Sequence, residues 1–205
     1  MATFGKNRFP EKYQSGVGYK NASTIKGDKD YLHKNSRELA QILKSNNIEL
    51  KSKVFELGSG PARNLHYILK EYPNIKLYCN DLWSSSVDHM SDEVKKIVKF
   101  YTGDSEDVIN NKEIQKEVID NLDLFLVSDH FMHLEYVKAD NIINKVLSTW
   151  KPKHVMLREV KKEYETPNHP RLFHKYDKFL KDYNLIHEST STNAKEYFIW
   201  LLKLK

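Results

Sequence analysis

The stretch Lys53–Leu65, KVFELGSGPARNL, decides how the chain is read. A short apolar run, Val54-Phe55, ends in an acid, Glu56, and breaks into Gly58-Ser59-Gly60. Pro61, Ala62 and Arg63 follow, and a helical pattern begins with Leu65, Ile68 and Leu69. Strand, glycine turn and helix in that order open a nucleotide-binding α/β domain. Glycines let the backbone turn sharply and lie close against a ligand. Pro61 suits a first helical turn, where its missing N–H costs nothing. A dinucleotide fingerprint needs a third glycine at position 63, where Arg63 stands, and a P-loop needs a Gly-Lys-Ser/Thr ending that is absent. An acid at the strand end suits instead a ligand that carries an amine or another positive charge.

Glu56-Leu57-Gly58-Ser59-Gly60, with Arg63-Asn64-Leu65 after it, resembles motif I of the class I S-adenosylmethionine (SAM)-dependent methyltransferases. Ala62 stands where that motif has its third glycine. SAM carries an α-amino group and a sulfonium, which match the acid. Companions follow in order. About 20 residues past the glycine turn, the spacing expected of a ribose-binding acid, KLYCNDLW ends a second apolar run with Asp81. VKFYTGDSEDV ends a third in Gly103-Asp104, where the resemblance implies an acid that bonds the adenine amino group. NLDLFLVSDHFMHL gives a fourth strand with Ser128-Asp129 at its end and then His133-Leu134, like the pair common after motif IV. The resemblance covers roughly residues 50–205, the size of one ordinary domain. It implies SAM as cofactor, held by Glu56, Gly58, Ser59, Gly60, Arg63, Asn64, Asp81, Leu82, Gly103, Asp104 and Ser128.

The bulk properties agree with one globular domain and an appendage. The chain has 205 residues, 40% hydrophobic and 30% charged, enough to bury a proper core. No apolar run approaches the roughly 20 residues of a membrane span, and MATFGKNRFPEKY has no apolar signal-peptide core. The single cysteine, Cys79, has no partner for an internal disulfide, which suits core packing and a cytoplasmic setting. A net charge of +5 mildly favours an anionic partner, but the lysines are scattered (Lys95-Lys96, Lys151–Lys153, Lys161-Lys162) and read as a solvated surface. Nucleic acid is therefore disfavoured.

Residues 1–30 lack sustained periodicity, whereas 31–47 carry Leu32, Leu39, Ile42 and Leu43 on one helical face. The expected division is an N-terminal lid or extension over 1–50 and a SAM-binding domain over 51–205. By resemblance the extension folds over the cofactor, with Tyr13 or Tyr19 near the sulfonium; plain packing of the tail is the other reading of these tyrosines. From 53 onward strands are expected at 53–57, 75–80, 98–102, 123–128 and 154–160, and at 185–191 and 196–204. Helices are expected at 63–71, 86–97, 105–119, 136–149 and 171–183. Alternation of this kind forces crossovers and a mostly parallel sheet in a three-layer α/β sandwich. A short link after 190 suits one antiparallel member, and the resemblance implies strand order 3-2-1-4-5-7-6.

Ligands of such sheets sit beyond the carboxyl ends of the strands. Methyl transfer from a sulfonium chiefly needs two reactants held in line, with a base only for a hydroxyl or protonated amine. His130, His133 and Asp129 are the catalytic candidates, and His169, with Tyr13 and Tyr19, faces the acceptor side. Trp83 has two readings, a stacker on adenine or a core residue. No metal is expected: strand 5 ends in Arg158-Glu159, so Asp129 has only Glu159 as a possible co-ligand. Ser128-Asp129-His130-Phe131 lacks the Asn/Asp-Pro-Pro-Tyr/Phe segment of base-amine methylation, and Cys79 lies in the wrong strand for pyrimidine C5 chemistry. The expected activity is methylation of an oxygen or nitrogen of a small metabolite or sugar-like precursor. Methylation of protein or RNA, and SAM binding without turnover, are the alternatives. A nicotinamide oxidoreductase is weakened by Arg63.

Overall fold

A computed structural model describes residues 30–162, 164–165, 170–171, 174–192 and 195–205. Seven strands form one sheet: β1 (Lys53–Leu57), β2 (Lys76–Asp81), β3 (Val98–Thr102), β4 (Leu122–Ser128), β5 (His154–Val160), β6 (Tyr183–Thr190) and β7 (Tyr197–Leu204). Their order is β3-β2-β1-β4-β5-β7-β6. The first five pair in parallel, and β7 runs antiparallel to both neighbours. The sheet order and its single antiparallel strand are those expected from the sequence.

The inner strands β1, β2, β4 and β5 bury both faces because both are covered by helices. Phe55, Leu57, Phe125, Val127, Val155 and Leu157 point to one side and pack with Val108, Ile109, Ile142, Ile143 and Trp150. Val54, Leu124, Leu126 and Met156 point to the other and pack with Leu39, Leu43, Leu65, Ile68 and Val94. The first side is covered by α4 (Ser105–Asn110), α5 (Lys112–Val118) and α6 (Tyr136–Lys145), the second by α1 (Asp30–Ser45), α2 (Arg63–Glu71) and α3 (Asp92–Ile97). Among the described residues no helix is long and apolar enough to cross a membrane.

Several expected helices are shorter than their periodicity suggests, and side-chain caps explain most of the breaks. The region 86–97 is a 3-10 turn (Ser84–His89) followed by α3, because Ser91 Oγ accepts the Val94 N–H and starts a new helix. The region 105–119 divides at Asn111, whose side chain accepts the N–H groups of Glu113 and Ile114. Past α6 a wide turn (Val146–Trp150) ends at Lys151 with φ +40. The helix expected over 171–183 is a correction. Its described part holds one 3-10 turn, Asp177–Lys181, while Tyr183 already belongs to β6. Tyr176, Phe179 and Tyr183 mimic a helical stripe, yet each is buried from a tight turn or a strand instead. Pro61 lies in the turn ahead of α2 rather than inside its first turn.

Candidate active site

The loop after β1 is built from left-handed backbone. Gly58 and Gly60 have φ of +67 and +52, and buried Ala62 has φ +55. Glycine takes that conformation freely, whereas Ala62 bears about 1–2 kcal/mol of strain. The backbone amides of this loop are held by β2. Asn80 accepts the Gly58 N–H at its Oδ1 (3.3 Å) and the Ser59 N–H at its carbonyl (2.8 Å). Asp81 Oδ2 accepts the Gly60 N–H at 2.9 Å, and Oδ1 accepts the Trp83 N–H and the Ser86 hydroxyl, both at 3.0 Å. Burial raises the Asp81 carboxyl, against the pull of these donors. Three of its roughly four acceptor positions are thus engaged by the protein, and Leu82 follows, half-buried.

Asn80 was not singled out by sequence reasoning, although a fully buried amide ending the apolar run Leu77-Tyr78-Cys79 signals a structural task. Its Nδ2 donates to the Gly103 carbonyl at 2.8 Å, and its Oδ1 also accepts from Ser105 Oγ at 3.3 Å. One side chain therefore joins the loops after β1 and β3. Gly103 has φ +143. Asp104 caps α4 by accepting the Glu106 N–H at 2.9 Å, and its other oxygen pairs with Lys138 of α6.

The loop after β4 closes over the glycine turn. A methyl group on Gly58 would lie 2.1 Å from His130 Nδ1, so the His130 ring rests directly on that glycine. His130 Nε2 meets Ser105 Oγ at 2.7 Å. Burial lowers the imidazole to about 4, with Asp104 pulling it up and Lys138 down, so the ring is neutral at pH 7. His133 ends the 3-10 turn Phe131–His133 and is half-buried. Ser128 ends β4 opposite Arg158 in the register. Asp129, at φ +57, pairs with Arg158, whose guanidinium stacks 4.4 Å from the Tyr197 ring.

Glu159 carries a role that the sequence did not signal. It is fully buried, and its carboxyl accepts the N–H groups of His130, Phe131 and Met132 at 2.9, 2.9 and 3.2 Å. Burial, and then the Asp129 charge, push it up to about 8, while the three N–H groups pull it down. These bonds shape the loop that carries Asp129, His130 and His133. Among the described residues no three His, Cys, Asp or Glu side chains are arranged to hold a metal ion.

Glu56 ends the central strand at 1% exposure. Its Oε1 accepts from Asn64 Nδ2 at 2.6 Å, while Oε2 is buried with no hydrogen-bond partner among the described residues. Burial pushes the carboxyl up to about 8; Asn64 and the Arg63 charge oppose this, and Asp81 and Asp129 add to it. A buried carboxyl with one vacant oxygen favours an incoming cation. The cofactor candidates from Glu56 to Ser128 and the catalytic candidates Asp129, His130 and His133 lie on the loops and strand ends at the carboxyl edge of β1–β4, apart from Arg63 and Asn64, which open α2. Tyr13, Tyr19 and His169 lie outside the described residues.

No protein-family model and no curated protein sequence matches the chain. Solved structures do. It resembles magnesium protoporphyrin IX methyltransferase (ChlM) from Synechocystis PCC 6803 with bound SAM, at TM-score 0.66 and 12% identity over 100% of each chain. It resembles a SAM-dependent methyltransferase from Aquifex aeolicus at TM-score 0.61 and 16% identity, over 87% of this chain and 94% of that one. It also resembles the small RNA methyltransferase HEN1 at TM-score 0.61 and 14% identity, with 83% of this chain matching only 25% of that larger one. With the strand order and the glycine turn after β1, these likenesses show that the chain has the fold of the class I SAM-dependent methyltransferases.

Proposed function

We propose that the chain is a SAM-dependent methyltransferase acting on an oxygen or nitrogen of a small metabolite or sugar-like precursor. The observation that supports this most is the vacant, buried Oε2 of Glu56 beneath the glycine turn. A cationic amine satisfies it, and a nicotinamide dinucleotide has no aliphatic ammonium group to place there. SAM supplies a methyl group activated on a sulfonium. Glu56, the backbone surface of the Gly58–Gly60 turn, Asp81 and Asp104 are the groups proposed to hold it, with Ser59, Arg63, Asn64, Leu82, Gly103 and Ser128 lining them. Asp81 keeps one acceptor position for a hydroxyl donor. His130, neutral and turned onto Gly58, braces the turn, while Asp129 and His133 stand at the acceptor edge. The N-terminal residues, Tyr13 and Tyr19 among them, act as a lid with His169 on the acceptor side. The single buried cysteine suits a cytoplasmic setting.

Thermal unfolding with SAM, S-adenosylhomocysteine and NAD tests the cofactor. A ligand at a hundredfold its dissociation constant adds about 2.7 kcal/mol, or about 5–10 °C for a chain of this length. A rise with both adenosyl ligands is expected; no rise with them, or a rise with NAD, refutes the reading. Labelled methyl transferred from SAM to a metabolite extract, rather than to RNA or protein, then separates the acceptor classes. Binding without transfer to any acceptor favours a non-catalytic role.

A further inference from the structure

The vacant carboxyl of Glu56 is tied to the N-terminal helix. Ser36 of α1, buried at 3% exposure, donates from Oγ to Asn64 Oδ1 at 2.7 Å. Asn64 in turn donates from Nδ2 to Glu56 Oε1 at 2.6 Å. The amide cannot rotate without breaking both bonds, because its oxygen accepts on one side and its nitrogen donates on the other. Further bonds bind α1 to α2: Tyr67 OH to His33 Nδ1 at 2.8 Å and Lys44 to Glu71 at 2.6 Å. The charged and titratable groups facing Glu56 are Arg63 from the start of α2, Cys79 and Asp81 from β2, and Asp129 from the end of β4. Among the described residues no cationic nitrogen pairs with Glu56. A carboxyl so buried, with two acids nearby, keeps its proton until a cation arrives.

We propose that Ser36 and Asn64 are positioning residues that hold Glu56 Oε1, present Oε2 to the ligand's ammonium, and couple docking of that ammonium to release of the Glu56 proton. This rests on the SAM reading above and extends it to residues of α1. The Glu56 O–H bond breaks, its electron pair stays on the carboxylate, and the proton leaves to solvent as the ammonium docks. At pH 6 the free carboxyl and the free α-amine are both protonated, and the docked pair holds one proton fewer. Binding therefore releases about one proton.

Titration calorimetry of the full chain at pH 6, in buffers of different ionisation enthalpy, counts that proton. SAM and S-adenosylhomocysteine should each release about one, whereas 5′-methylthioadenosine, which lacks the amine, should release none. Glu56→Gln should abolish the release. Ser36→Ala should weaken SAM roughly three- to tenfold, leave 5′-methylthioadenosine unchanged, and raise the pH midpoint of SAM affinity, because the Asn64 bond that favours the carboxylate is loosened. Ser36→Thr, which keeps the hydroxyl, should restore the midpoint. SAM binding without proton release, or equal weakening of both ligands by Ser36→Ala, overturns the inference and leaves the methyltransferase reading standing. No binding of either ligand overturns both.

Discussion

Replacing Gly58 with alanine tests the seat of His130 on the glycine turn. With φ at +67, any side chain at position 58 costs about 1–2 kcal/mol of backbone strain. The new methyl would lie 2.1 Å from His130 Nδ1 and 2.8 Å from its Cβ. Such overlap forces the ring away from Ser105 and adds about 1–3 kcal/mol of overpacking. The single change should therefore destabilise the fold by about 2–5 kcal/mol. In a His130→Gly background the clashing atoms are gone, and the same change should cost only the strain, about 1–2 kcal/mol. Urea unfolding of the four proteins completes a double-mutant cycle, and a coupling of about 1–3 kcal/mol is expected. Additivity within about 0.5 kcal/mol would refute the packing of His130 on Gly58, and with it the bracing role.

Asn80→Ala should destabilise the chain by about 1–3 kcal/mol, since it removes the side-chain partner of the Gly58 N–H and of the Gly103 carbonyl together. A change under about 0.5 kcal/mol in urea unfolding would place it with inert surface substitutions and remove the hub. His130 gives a pH signature. Its folded value of about 4 lies below the ordinary 6.5, so between the two the unfolded chain binds more protons and stability falls on acidification. Glu56 and Glu159, raised to about 8 from 4.5, act with the opposite sign and lose their contribution as pH rises through that window. Comparison of wild type with His130→Gln isolates the histidine. The wild type's advantage should shrink by about 3 kcal/mol between pH 7 and pH 4; a constant difference would mean that the ring is solvated.

Much of this molecule was legible in the sequence because its signals are local. Gly58 and Gly60 permit the left-handed turn wherever they stand, and the apolar runs around Val54, Leu77 and Leu124 suit buried parallel strands on their own composition. The acids Glu56, Asp81 and Asp104 stand at or just past the ends of their strands, at spacings that chain geometry sets. Helix lengths were less legible, because Asn111 and Ser91 redirect the backbone through single side-chain bonds that periodicity averages away. What only the tertiary structure decided is which polar groups meet. Ser36 reaches Asn64 across 28 residues, Asn80 reaches Gly58 across 22, and Glu159 reaches His130 across 29. The last two exist because the parallel sheet sets distant strand ends side by side, and the first because α1 and α2 pack together on one face of that sheet, in buried spaces where an unpaired polar group is costly. The sequence alone therefore determined the turn and the acids at the strand ends. Their partners, and the oxygen of Glu56 left vacant, were decided by the packing of sheet and helices around them.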